Sequence, residues 1–325
     1  MTRRQALSTI VGLALAISAP RASSAQTAKP PVVGLLDAGA RVEWWAAFRQ
    51  QLRELGYVEG QNVAFEARFA GGKFDQLPTL AQELVGLKVA IILTSGTVAA
   101  QAAKRATNTI PIVMATGDDP ASLGLVASLA RPGGNVTGVT SFGRGLSGKR
   151  LELLREVVPK LSRLAVLWHR DNPASALTVR EIEAAARSSK VALQILGVKT
   201  ADELTGAFSA MTRERARAVF VIADPLFSSE YRRISDLAIK HQLPSIHAVS
   251  EYVEAGGLLS YGPSYSDLFR HAAVYVDKIL KGAGPGDLPI EQPTTFALVI
   301  NLKTARALGV TIPRPILLRA DRLIE

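Results

Sequence analysis

VAIILTSGT, Val89 to Thr97, is an apolar run of strand length that ends in small polar residues and opens directly into a helical pattern. A short run dominated by Val, Ile and Leu suits a strand buried on both faces, and Thr97 to Thr107 carries helical spacing. The unit recurs on both sides. VVGLLD (32–37) precedes a helix from about Glu43 to Leu55, and NVAFEARF (62–69) precedes one from Phe74 to Leu87. IPIVMAT (110–116) closes the set. Short apolar runs alternating with helices of ten or more residues indicate βαβ units around a parallel sheet.

The second half repeats that order. LAVLWH (164–169) leads to a helix from Ala174 to Ser189, and VALQILGV (191–198) to one from Ala201 to Arg213. RAVFVIAD (217–224) leads to a helix from Ser228 to His241, and LPSIHAV (243–249) closes the set. The matched order favours two similar lobes over one long doubly wound sheet. GGNVTGVTSF (133–142) and GGLLSYG (256–262) fit neither repeat and read as bridges. After the second come a helix from Tyr265 to Lys281, the turn KGAGPGDLP (281–289), and a strand and helix in FALVINLKTARALGV (296–310). Three crossings between lobes make a hinge. The expected division is residues 31–141 with 252–283 in one lobe, and 142–251 with 284–322 in the other.

Residues 1–25 are of another kind. A basic start, an apolar run of about fourteen residues and a small-residue end form the layout of a signal peptide, with cleavage expected after Ala25. Such a run is short for a bilayer span, though an N-terminal anchor is the alternative. Arg3-Arg4 followed by Leu7 suggests twin-arginine export, but Ala6 leaves a Sec route open. The product is expected in a periplasm, as a monomer. The chain has no cysteine, which excludes disulfides, thiolate metal sites and a Cys-linked lipid anchor. Its formal net charge is +10, yet the basic residues are scattered and not interleaved with aromatics, so nucleic acid is not an expected partner.

In open parallel sheets, ligands bind beyond the carboxyl ends of the strands. Those positions hold Asp37, then Ser95, Gly96 and Thr97, then Asp118. In the second half they hold Trp168 with His169, Asn172 and Asp224, and the second bridge adds Tyr261. Ser95 to Thr97 sit at a helix N-terminus, where free N–H groups and the helix dipole hold an anion. Asp37, Asp118 and Asp224 are placed to receive an ammonium or hydroxyls, and Trp168 and Tyr261 to cover an apolar part. Each also has a plainer reading, as cap, turn former or core residue. Trp44 and Trp45 are adjacent on a helix and point about 100° apart, so packing or a place at the cleft mouth is open for one of them.

GRGLSGKR, Gly143 to Arg150, matches both G-x-G-x-x-G and most of a P-loop, after a strand and before a helix. Arg150 stands where a P-loop needs Ser or Thr for magnesium, and the next strand ends in Trp168-His169 rather than in an acid. A flexible crossing followed by a helix is the better reading, with a nucleotide-binding exported enzyme as the weaker one. The four histidines, His169, His241, His247 and His271, show no metal spacing, and no G-x-S-x-G elbow occurs. No catalytic residue, metal or cofactor is expected.

PVVGLLDAG, LRELGYVEGQN, ARPGGNVTG and NLKTARALGVTIP together resemble the ABC-transporter substrate-binding protein family of the type I periplasmic-binding-protein fold, from about Pro31 to Pro313. The resemblance implies an α/β chain of two Rossmann-like lobes with parallel sheets on a three-segment hinge. It implies a small-molecule ligand clamped between the lobes and delivered to a permease driven by a separate ATPase. It places Asp37, Ser95, Gly96, Thr97, Asp118, Asn172, Asp224 and Tyr261 at the cleft. Trp168-His169 departs from the small or Tyr residue that the family often carries there. The expected ligand is a small polar solute, with an amino-acid-like one fitting the charges. A sensory protein of the same fold, acting on a membrane receptor, is the alternative.

Overall fold

A computed structural model describes residues 29–39, 42–141 and 144–325. The expected signal peptide, residues 1–25 with cleavage after Ala25, lies outside the described residues. In chain order the first half comprises β1 (Val32–Asp37), α1 (Val42–Glu54), β2 (Ala64–Phe69), α2 (Leu77–Gly86), β3 (Ile91–Ser95), α3 (Thr97–Ala106), β4 (Ile112–Thr116) and β5 (Val136–Gly138). Then follow α4 (Ser147–Val157), β6 (Arg163–His169), α5 (Pro173–Ser189), β7 (Ala192–Val198), α6 (Glu203–Arg213), β8 (Ala218–Val221), α7 (Pro225–Ser229), α8 (Tyr231–Lys240) and β9 (Ser245–His247). The remainder is α9 (Ser250–Glu254), β10 (Leu259–Gly262), α10 (Tyr265–Leu280), β11 (Ala297–Asn301), α11 (Leu302–Ala307), α12 (Arg314–Arg319) and β12 (Arg322–Ile324).

These elements build two α/β lobes. The first sheet is all parallel, in the order β2-β1-β3-β4-β5. The second has seven strands, β12-β11-β10-β9-β8-β6-β7, with β10 and β11 antiparallel. Strands β1, β3 and β4 are buried at nearly every residue, which is why they read as unbroken apolar runs rather than alternating ones.

Two lobe boundaries differ from the sequence reading. Residues 252–262 belong to the second lobe, because β10 is hydrogen-bonded between β9 and β11, with Leu259 opposite both Ile246 and Ile300. The chain crosses only after Gly262. Residues 284–291 stay on the first lobe: Thr137 Oγ1 donates to the Leu288 carbonyl, Ile290 N–H to the Leu129 carbonyl, and Glu291 bridges to Val139. The helix expected from Ser228 to His241 is two helices, the first of which starts at Pro225 under an Asp224 cap.

Helix α10 returns to the first lobe and packs along α1. Trp44, Trp45, Phe48 and Leu52 recur on one side of α1 and are all buried. The Trp45 ring meets Phe269 of α10 edge-on at 4.9 Å. Deleting so large a buried ring, as in Phe269→Ala, costs about 3–5 kcal/mol. This packing sets α1, and hence Trp44, against the opening between the lobes.

Candidate functional site

The carboxyl ends of the two sheets face one another across a cavity. The first lobe supplies Asp37, the Ser95–Thr97 turn and Asp118; the second supplies Asn172 and Asp224. Seven of the nine residues picked from sequence are thus brought together.

The two lobes treat their polar groups differently. On the second, Asn172 Oδ1 caps α5 by accepting the Ala174 N–H, and its Nδ2 donates to Asp224 Oδ2 at 2.7 Å. Asp224 also accepts the Ser175 hydroxyl at Oδ2, while its Oδ1 caps α7 at the Leu226 N–H and lies 3.1 Å from His169 Nδ1. That carboxylate is saturated by the protein. Asp37 is similar, its two oxygens accepting the Gly39 N–H and the Trp45 indole N–H, each at 2.7 Å. Both carboxylates organise the walls of the cavity.

The α3 N-terminus is built for something else. No side chain caps it, in contrast to α5 and α7 at the same cavity. Its N-cap is Gly96, at φ +89, whose N–H donates to Thr116 Oγ1. Thr97 Oγ1 accepts the Asp118 N–H at 3.0 Å, which ties the β4 turn to the helix start. The first-turn N–H groups have no intrahelical acceptor and carry the positive end of the helix dipole. Asp118 is half-buried beside them and accepts the Ser141 hydroxyl at 3.2 Å.

Trp168 and Tyr261 do not reach the cavity, which corrects the sequence reading. Both pack into the hydrophobic core of the second lobe. Successive strand side chains point to opposite faces, and on β6 it is His169 that leans toward the first lobe, under the Phe74 ring at 4.4 Å. Tyr261 contributes its carbonyl, which accepts Nε of the buried Arg150 at 2.7 Å. Burial lowers the Arg150 guanidinium to about 10, against the favourable charges of Asp118 and Glu181.

The aromatic wall comes instead from Trp44 and Tyr265, whose rings lie 4.7 Å apart. Burial, then the Asp118 charge, holds the Tyr265 hydroxyl well above the usual tyrosine range, so it is a neutral donor. The adjacent tryptophan pair was the signal for Trp44. Tyr265 was hidden as an ordinary first-turn residue of α10, behind the Ser264 cap.

The lobes touch around the cavity. Pro225 and Leu226, at the start of α7, seat against Gly39, Gly72 and Gly96 of the first lobe. A Cβ on Gly72 would stand 2.8 Å from Leu226 Cδ1, and one on Gly96 3.0 Å from Pro225 Cγ. This is a closed arrangement.

The described residues of GRGLSGKR form no phosphate cradle. Gly143 lies outside the described residues, Lys149 is ion-paired to Glu152, and Gly145 borders a recess lined by Asp118, Asp119 and Glu181, whose charge repels phosphate. Among the described residues no group of three or more His, Asp or Glu is placed to hold a metal, and no helix is long and apolar enough to cross a membrane.

Residues 31–324 match a family model described as ABC transporter substrate binding protein. A tyrosine-binding protein of Clostridioides difficile is 29% identical over 264 residues, covering 81% of this chain and 75% of that one. Among solved structures, an ABC domain from Streptococcus pneumonia in complex with L-Trp superposes with a TM-score of 0.85 at 27% identity, over 91% of this chain and all of that one. A ligand-free, open substrate binding protein with adhesive properties from Clostridium difficile is 25% identical and gives 0.64, over 90% of this chain and 99% of that one. The lobe arrangement here therefore follows the liganded relative more closely than the open one.

Proposed function

The chain belongs to the ABC transporter substrate binding protein family, and on that premise we propose that it captures an α-amino acid with an aromatic side chain and hands it to a membrane permease driven by a separate ATPase. The observation that carries the ligand class is the uncapped N-terminus of α3, which opens on the cavity beside a half-buried carboxylate and two aromatic rings. In this reading the ligand carboxylate lies on the Ser95–Thr97 turn, its ammonium meets Asp118, and its side chain lies against Trp44 and Tyr265. Asp37, Asn172 and Asp224 hold the walls. Opposite charges at one end and rings at the other suit such a zwitterion. The tyrosine-binding relative and the L-Trp complex support the same class.

The leader pattern of residues 1–25 supports export to the periplasm, with the mature chain acting as a monomer. No chemical step belongs to this role: ligand binding favours the closed state, and closure presents the lobes to the permease. The test is thermal unfolding of residues 26–325 with L-tryptophan, L-tyrosine and L-phenylalanine against sugars and ATP. A ligand of the folded state raises the melting temperature with concentration. Stabilisation by an aromatic amino acid supports the reading; stabilisation only by a sugar or by ATP refutes it.

A further inference from the structure

Trp44 does two things at once. Its ring forms the cavity wall with Tyr265, and its Nε1–H donates to Glu251 Oε1 at 2.6 Å. Trp44 sits on α1 of the first lobe. Glu251 sits in the first turn of α9, which packs on β9, β10 and β11 of the second. Ser250 Oγ donates to the other oxygen of Glu251 at 3.1 Å, which leaves Oε1 turned to the indole. Outside this wall lies a second recess, lined by Glu43, Tyr231, Arg232, Glu251 and Tyr265. Tyr265 borders both the ligand cavity and this outer, polar recess.

We infer that Glu251 is a closure-dependent positioning residue, which locks the Trp44 ring into the ligand wall only when the second lobe swings in. The inference rests on the ligand class proposed above. The second lobe holds the partner of the indole N–H, so an open protein presents a Trp44 ring without that tether. Side-chain recognition and lobe closure then become one event. An aromatic ligand gains the completed wall, whereas a small amino acid such as L-alanine engages only the α3 turn and Asp118. Glu251 acts on selectivity without touching the solute.

The experiment is calorimetric titration of the mature protein with L-tryptophan and with L-alanine, for wild type, E251A, E251Q, W44F and W44F/E251A. Loss of one hydrogen bond to a charged acceptor predicts about 10-fold weaker L-tryptophan binding in E251A, with L-alanine unchanged. E251Q keeps an acceptor oxygen and recovers most of the loss. W44F reproduces E251A, and the double variant is no worse than either single. Equal weakening of both ligands, or additive losses in the double variant, overturns the inference. Absence of all amino-acid binding by wild type is a failure of the ligand class. The tether is then judged in the closed protein, saturated with whichever sugar or nucleotide of the thermal panel stabilises it, on the Trp44 indole N–H, identified by its loss in W44F, whose hydrogen exchange is slower in wild type than in E251A. Equal exchange in those two overturns it.

Discussion

Asn172 donates its side-chain N–H to Asp224 Oδ2 at 2.7 Å, and both residues cap helices that open on the cleft. The relationship makes Asp224 a structural carboxylate, with its donors from β6, α5 and α7 all buried. Asp224→Ala leaves those donors unsatisfied and is expected to lower stability by about 1–3 kcal/mol. Urea unfolding measures this, and an unchanged midpoint would show that the network contributes nothing.

Asp118 is expected to behave in the opposite way. It is half-buried, lines the cavity and caps no helix of its own. Asp118→Asn is expected to weaken L-tryptophan binding by about 1–3 kcal/mol, the range for a hydrogen bond to a charged group, while leaving the urea midpoint nearly unchanged. Titration calorimetry beside urea unfolding separates the two effects.

Gly72 tests closure. It lies at φ +85, and any Cβ there meets Leu226 across the lobe boundary. Gly72→Ala adds about 1 kcal/mol of backbone strain within its own lobe. It also holds the lobes apart. The ligand-saturated protein is then expected to keep the radius of gyration of its free form in solution scattering, whereas wild type contracts.

His247 sets a pH limit on stability. Its Nε2 lies 2.9 Å from Ser245 Oγ, which also accepts the Leu258 N–H. Burial lowers its pKa to about 3. The unfolded chain takes up this proton near pH 6.5 and the folded chain only near pH 3, so the depressed pKa costs stability as pH falls between those values. From pH 7 to pH 5 the unfolding free energy is expected to fall by about 2 kcal/mol more in wild type than in His247→Gln. Parallel urea titrations at the two pH values check the difference.

Much of the fold was legible because buried parallel strands write themselves as apolar runs, and β1, β3, β4, β6 and β8 all do so. What failed lay where the signal is local but the answer is not. GGLLSYG has the composition of a bridge, yet its last four residues are strand β10, which only tertiary pairing with β9 and β11 reveals. Trp168 and Tyr261 sit at the correct ends of strands but on the faces turned away from the cleft; a one-residue shift in a strand reverses the face. Trp44 and Trp45 both became buried despite pointing apart, because Phe269 of α10 meets both rings, Tyr265 of α10 adjoins Trp44, and Glu251, from the opposite lobe, meets the Trp44 indole N–H. Sequence spacing says nothing of a neighbour about 200 positions away. The α3 turn was readable because a strand ending in small polar residues before a helix is a local device.

Ligand capture is read most directly by titrating refolded residues 26–325, freed of any copurified solute, with L-tryptophan, L-tyrosine and L-phenylalanine. Saturable one-to-one binding of at least one of them is expected, weakened in Asp118→Asn and accompanied by contraction of the molecule in solution. Binding of a sugar or nucleotide in their place, or binding of an aromatic amino acid that Asp118→Asn leaves unchanged, would contradict it.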